Sequence, residues 1–295
     1  VVDAGTLTVL DSAQWGAREK AHVERVTAWT APHRERRRLG AKHPVWDFLF
    51  EYYAFRPAWL ERWHPGPDVL LTGEAAAKFL RWPAYQASQG GVELNVGAMG
   101  EARRTFVAWL LQLLEGMQSR PAFFACHGLH EWAMVYRQPP AGVRHAQFPL
   151  RMAPDAVAGV VESLPIRCTH FDAFRFFTPQ ARPLNRLQLD RSGVPHWEQR
   201  GCLHANMDLY KWSFKLAPYA PGELIADAFA LAQDIREVDM RASPYDFSAL
   251  GFAPIPIETE TGRAEYEARQ REFEARAAPL RARLASLGRR LLGTS

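Results

Sequence analysis

The segment Gly201-Cys-Leu-His-Ala-Asn-Met-Asp-Leu-Tyr-Lys211 sets a histidine, an aspartate and a lysine at i, i+4 and i+7. On a helix, His204, Asp208 and Lys211 share one stripe. An imidazole held by a carboxylate moves protons near neutral pH. A lysine beside them binds an anion or, once desolvated, attacks as a nucleophile. The stripe reads equally as a solvated face with an Asp–Lys ion pair, and spacing leaves both open.

Other segments offer the same chemistry. In the helix expected over Pro221 to Ala242, Leu224, Ile225, Ala228, Leu231, Ala232, Ile235 and Val238 form an apolar arc. Asp227 and Asp234 fall at its edge and Asp239 inside it. A carboxylate on an apolar face needs a partner or a raised pKa; Arg236 and Arg241 are the nearby partners. His43, Asp47 and Glu51 form an i, i+4, i+8 stripe. His127, His130 and Glu131 form a third cluster, and Thr169-His-Phe-Asp172 a fourth. Pairs on separate elements can converge on a non-haem metal, although none has a Glu-x-x-His spacing. His170, Asp172, His204 and Asp208 are expected to face one cavity, with Asp239 or Glu131 nearby.

The periodicity that must position these residues is mostly helical. Asp11 or Ser12 caps a helix through Trp15, Val23, Val26 and Trp29, ending in a basic run before Gly40. A second helix is expected from Pro44 to Trp63, kinked at Pro57. Others are expected over Ala98 to Met117, Pro121 to Arg137 and His204 to Leu216. Glu260 to Leu292 reads as a C-terminal helical segment, interrupted near Pro279. Val143 to Leu150, Leu164 to Phe177 and Leu184 to Leu189 look β-like. The expected fold is therefore mainly α: a helical domain with a small β-sheet from the middle of the chain. It is read as a single domain over 1–295, with a subdomain seam at 138–142.

Composition narrows the class. The 295 residues are 47% apolar and 23% charged, which excludes disorder and disulfide scaffolds for the whole chain. Three scattered cysteines make no CxxC metal site. The start of the chain carries no signal-peptide pattern, and no window approaches 18 apolar residues. The expected location is the cytoplasm, away from membranes. GxGxxG, Walker A, GxSxG and HExxH motifs are absent from the sequence, so no cofactor is assigned. The net charge of +4 permits an anionic partner. Arg36, Arg37, Arg38, Arg103 and Arg104 are candidate phosphate contacts. Phe55, Arg56, Trp59 and Arg62 interleave aromatic and basic groups that can stack on bases.

Lys42-His-Pro-Val-Trp-Asp-Phe-Leu-Phe50, Gly128 to Arg137, Cys168 to Phe177, Cys202 to Lys211 and Asp234 to Asp246 together carry a likeness over most of the chain. They resemble a group of proteins from high-GC bacteria named 3-methyladenine DNA glycosylase. The helix-hairpin-helix signature of established alkylpurine glycosylases is absent, so no residue role transfers by position. The resemblance implies a DNA-repair hydrolase that cleaves the N-glycosidic bond of alkylated purines in double-stranded DNA. The base would be flipped out and held between aromatic faces. Asp239 or Asp208 would activate water, with Trp132, Phe171, Tyr210 or Trp212 stacking and Lys211 close by. That chemistry would use no metal. Two other classes stay open: a helical enzyme acting on a small molecule through its His–carboxylate clusters, with or without a metal, and a non-catalytic nucleic-acid binder.

Overall fold

The computed structural model describes residues 7–139, 142 and 147–294. Strand β1 (Thr8–Leu10) leads into helix α1 (Ser12–Arg38). Asp11 Oδ1 accepts from the N–H groups of Ala13 and Gln14 at 2.9 and 2.8 Å, and the Gln14 side chain accepts from Asp11 N–H at 3.0 Å. This capping box satisfies donors that the first turn leaves unpaired. Helices α2 (Phe48–Tyr52) and α3 (Pro57–Leu60) precede β2 (Val69–Leu71) and the hairpin of β3 (Tyr85–Ser88) and β4 (Gly91–Leu94). Helices then follow as α4 (Glu101–Ser119), α5 (Leu129–Val135), α6 (Pro154–Ser163), α7 (Phe171–Phe174), α8 (Val194–Trp197), α9 (Leu203–Lys215), α10 (Gly222–Arg241) and α11 (Glu260–Leu292). The protein is mainly α with one small mixed sheet, in the order β1-β2-β4-β3. Among the described residues, no helix is long and apolar enough to cross a membrane.

The chain divides into two compact units. Unit 1 comprises residues 1–112, 209–230 and 280–295, and unit 2 comprises 113–208 and 231–279. Helices α4, α9, α10 and α11 contribute residues to both. The seam expected at 138–142 lies within unit 2, and two of its residues, 140 and 141, fall outside the described ones.

Unit 1 holds the sheet. β1 pairs parallel with β2, and β4 runs antiparallel to both β2 and β3. A Cβ on Gly91 would stand 2.2 Å from the Leu71 carbonyl oxygen, so only glycine lets β4 approach β2 this closely. Trp15, Phe79, Trp63 and Tyr85 pack behind the strands. His64 is buried there, its Nδ1 3.0 Å from the Tyr85 hydroxyl. Burial, and then the Arg62 charge, push its pKa down from the usual 6.5 to about 3. The unfolded chain therefore binds a proton below pH 6.5 that the folded chain refuses until about pH 3. Stability held above pH 6.5 is lost as pH falls through this window, by up to about 1.4 kcal/mol per pH unit. His64→Gln is expected to flatten that acid slope in denaturant titrations between pH 6.5 and 4. An unchanged slope would show that His64 does not set it.

Unit 2 is built around Trp132, fully buried, whose Nε1–H donates to the Ala242 carbonyl at 2.9 Å. Arg151 forks onto both carboxylate oxygens of Glu258 at 2.7 and 2.9 Å.

Several expected elements differ. The sheet comes from residues 8–94, not from the middle of the chain. Of the expected middle strands, Val143 to Leu150 lies partly outside the described residues. In the other two, Ile166 makes an isolated bridge with Asn185. The Asn185 side chain takes up Cys168 N–H and C=O at 2.7 and 3.1 Å, replacing a strand neighbour. The helix expected from Pro44 to Trp63 breaks instead of kinking. Arg56 is extended before Pro57, as a pre-proline residue prefers, and Ala54 has φ 54°. Only α5 forms within Pro121 to Arg137, because His127 and Gly128 are consecutive left-handed residues. Helix α11 runs through Pro279 without a break, with Phe273, Ala277, Arg281 and Leu284 buried on either side of it.

Candidate metal centre

Five segments of unit 2 bring ionisable side chains to one place. Gly128, left-handed at φ 70°, starts α5 and presents His130 and Glu131 in its first turn. A Cβ on Gly128 would lie 3.3 Å from the Tyr266 ring. His170 is the residue just before α7, and Glu198 the one just after α8. Helix α9 carries His204 and Asp208 one turn apart, and α10 carries Arg236 and Asp239. All eight side chains belong to residues less than a tenth exposed.

The geometry resolves into two triads. His130 Nε2 lies 3.0 Å from Asp239 Oδ1, and His204 Nε2 lies 3.9 Å from Asp239 Oδ2. His170 Nε2 lies 3.1 Å from Asp208 Oδ2 and 3.5 Å from Glu198 Oε1. In each triad one donor atom per residue falls within 4.8 Å of the others, a spacing that one metal ion can span. The His204 ring links the triads: its centroid is 4.3 Å from that of His130 and 5.3 Å from that of His170. Arg236 Nη1 donates to Asp239 Oδ2 at 2.9 Å and reaches Glu131 Oε1 at 3.4 Å.

Electrostatics separate the groups. Burial, then the neighbouring His130, keeps His204 well below its ordinary pKa, so its imidazole is neutral near pH 7. Burial pushes the Glu131 carboxyl up, and the Asp239 charge adds to this against Arg236. Burial also works against an ionised Asp239, but His130, His204 and Arg236 outweigh it and hold that carboxyl below its usual range. A cavity of about 20 Å³ abuts His130 and His204 and is also lined by Cys126, Cys168, Cys202 and Tyr266.

Of the residues expected at the site, His170, His204, Asp208, Asp239 and Glu131 are brought together. Asp172 is not; it pairs with Arg175 on its own short helix at 3.3 Å and is partly exposed. Trp132 is core, its indole N–H already bonded. Phe171 is half-buried and lies outside the cavity lining. Tyr210 is fully buried in unit 1 among Tyr53, Phe55, Phe214 and Phe229. Trp212 is also in unit 1, with the Lys211 ammonium 4.0 Å from its ring centroid. The His43, Asp47, Glu51 stripe resolves into a structural knot: buried Asp47 bonds His33 at 2.8 Å and Arg36 at 3.0 Å. Arg38 binds Glu35, Arg103 donates to the Ala217 carbonyl at 2.8 Å, and Arg104 donates to the Met99 carbonyl at 3.1 Å. With Arg36, the Arg103 and Arg104 guanidiniums are committed inside unit 1, whereas Arg38 pairs with Glu35 at the exposed surface. Arg37 lines an open groove there with Lys42 and Arg56. Phe55, Trp59, Arg62 and Arg103 line another, of about 330 Å³.

Glu198 joins the site without any spacing signal. It follows the Val194-Pro-His-Trp197 turn, remote in sequence from every partner. His130 is legible only as part of the His127 to Glu131 cluster, and Arg236 only as a neighbour of Asp239. Comparison of the chain with protein-family models, with curated proteins and with solved structures found no match.

Proposed function

We propose that the chain is a metal-dependent hydrolase acting on a small molecule, with a divalent cation held by His130, His204 and Asp239. One observation carries this reading. His130 Nε2 and Asp239 Oδ1 are buried and 3.0 Å apart but poorly aligned for a hydrogen bond, and one ligand atom each of His130, His204 and Asp239 lie within 4.8 Å of one another. Buried polar atoms left this way cost free energy. A shared cation makes the same approach favourable, because ligand atoms about 2.1 Å from one ion lie about 3.0–3.5 Å from each other.

The neighbouring cavity of about 20 Å³ has room for about one water molecule. A cation held by His130, His204 and Asp239 would supply Lewis-acid activation of water for hydrolysis, the proton lost by the water going to the leaving group. Arg236 keeps Asp239 ionised and in place. Hydrolysis is also what the resemblance to 3-methyladenine DNA glycosylase implies. The internal commitments of Arg36, Arg103 and Arg104 favour a smaller substrate over DNA.

The purified protein is expected to hydrolyse members of a chromogenic panel of esters, phosphoesters and N-glycosides. Chelation should abolish turnover, Mn²⁺ or Zn²⁺ should restore it, and alkylated duplex DNA should release no base. Chelator-resistant release of alkylated purine from that DNA would replace this reading with the metal-free glycosylase.

A further inference from the structure

We propose that the pocket of about 330 Å³ in unit 1 binds a flat heterocycle carrying a phosphate group, the chemistry of a mononucleotide. The site is independent of the metal ligands of unit 2, since every residue that lines it belongs to unit 1. Aromatic rings supply its walls. Phe55 and Phe214 stack on each other with centroids 4.1 Å apart and planes within 9°. Trp82 lies edge-on to His64 at 4.9 Å. Trp59 is 47% exposed, and among the described residues no other ring packs on it. A half-exposed indole in a concave, cation-lined place is a stacking platform for a flat ring.

Charge supplies the second half of the match. Arg62, Arg103 and Lys215 line the pocket, and no carboxylate is among its described lining residues. The Arg56 and Arg62 guanidiniums lie over the Trp59 ring at 5.6 and 5.2 Å, and Arg81 lies over Trp82 at 4.1 Å. Other arginines of unit 1 pair with acids: Arg18 with Glu223, Arg25 with Asp227, Arg34 with Glu61. Among the described residues, Arg56, Arg62 and Arg81 have no carboxylate partner. Glu61, next to Arg62 in sequence, is taken up by Thr30 and Arg34. A guanidinium over a ring spends its face there and keeps its in-plane N–H fork for a planar pair of acceptors, as a phosphate offers.

The two halves select one ligand between them. Inorganic phosphate would leave the rings uncovered, and a neutral heterocycle would leave the Arg62 fork without an acceptor. A phosphorylated heterocycle satisfies both. Its size suits the pocket, which lies within the range of about 300–1,000 Å³ that small ligands occupy. Arg103 is fixed in the wall, its Nη1 donating to the Ala217 carbonyl at 2.8 Å. His64, neutral at pH 7, adds a polar surface to the lining without adding charge. A nucleic-acid strand would need cations continuing beyond the pocket, and Arg104 is bonded instead to the Met99 carbonyl.

The test is calorimetry on the full chain, stripped of metal by chelation so that no ion can hold the phosphate. The probes are the four ribonucleoside monophosphates, their nucleosides and inorganic phosphate. At least one nucleotide is expected to bind at one per chain, more tightly than its nucleoside and than phosphate. Trp59→Ala should weaken nucleotide and nucleoside alike, by about fivefold or more, as lost base stacking does. Arg62→Ala should weaken the nucleotide alone, by about tenfold, and reduce its salt dependence. No nucleotide binding tighter than about 1 mM overturns the proposal. So does nucleotide binding that neither substitution changes, or phosphate binding as tightly as the nucleotide. An oligothymidylate that binds more tightly than every mononucleotide replaces it with a strand-binding site. The wild-type comparison of nucleotide, nucleoside and phosphate decides the matter even where a variant fails to fold.

Discussion

Asp239→Asn protein is expected to lose a bound cation and to unfold with about 3 kcal/mol less free energy than the wild type, both measured free of metal. Asp239 is 1% exposed and accepts from Arg236 at 2.9 Å. Removing one partner of a buried ion pair costs about 3–5 kcal/mol, because the remaining charge stays buried without compensation. Glu131, 3.4 Å from the same guanidinium nitrogen, remains as a weaker partner and places the loss at the low end. Denaturant unfolding of the stripped proteins measures the first effect, and metal analysis after reloading measures the second. A loss below about 1 kcal/mol would mean that Arg236 does not depend on Asp239. Unchanged metal content would remove Asp239 from the ligand set.

Gly201→Ala should disturb the site from outside it. A Cβ there would stand 2.6 Å from the Phe123 carbonyl oxygen and 3.0 Å from Gln199 Oε1. Neither can move freely. Gln199 Oε1 accepts from Phe123 N–H at 2.9 Å and Gly201 N–H at 2.7 Å, and the Gly201 carbonyl accepts from Gln270 at 3.0 Å. Overpacking of this kind costs about 1–3 kcal/mol. The strain is delivered to the start of α9, three residues before His204. Metal affinity is expected to fall about 10–100-fold, the range for lost outer support of ligands. Gly159→Ala in α6 is the matched control, with no atom within 4 Å of the added methyl. It should gain about 0.5–1 kcal/mol, since alanine suits a helix interior better than glycine. Equal metal affinity in both variants would show that the turn before α9 does not position its ligands.

The long helices were legible because their signals are local: a cap at Asp11, and apolar residues repeating along α4, α9 and α10. The strands were not. Each is three or four residues long, too short for alternation to stand out, and β1 finds β2 across about sixty residues of intervening chain. Only the two-residue Gln89-Gly90 turn between β3 and β4 has the length of a tight hairpin, with Gly90 at φ 87°. The same division runs through the site. His204 and Asp208 declare themselves by helical spacing, and Asp239 by sitting on an apolar arc. Lys211 continues the His204 stripe by number yet belongs to unit 1, against the Trp212 ring. Asp172 sits two residues from His170 but turns to Arg175. Glu198 reaches the centre from a loop, where no periodicity announces it.

The two triads close contacts between distant parts of the chain: His170 and Asp208 are 38 residues apart, and His130 and Asp239 more than a hundred. Loops of that length close at an entropic cost that must be met before the contacts repay it. On the proposed metal reading, the carboxylates are expected to meet late in folding, so a bound ion is expected to slow unfolding and leave the folding rate nearly untouched, which stopped-flow unfolding with and without Mn²⁺ measures.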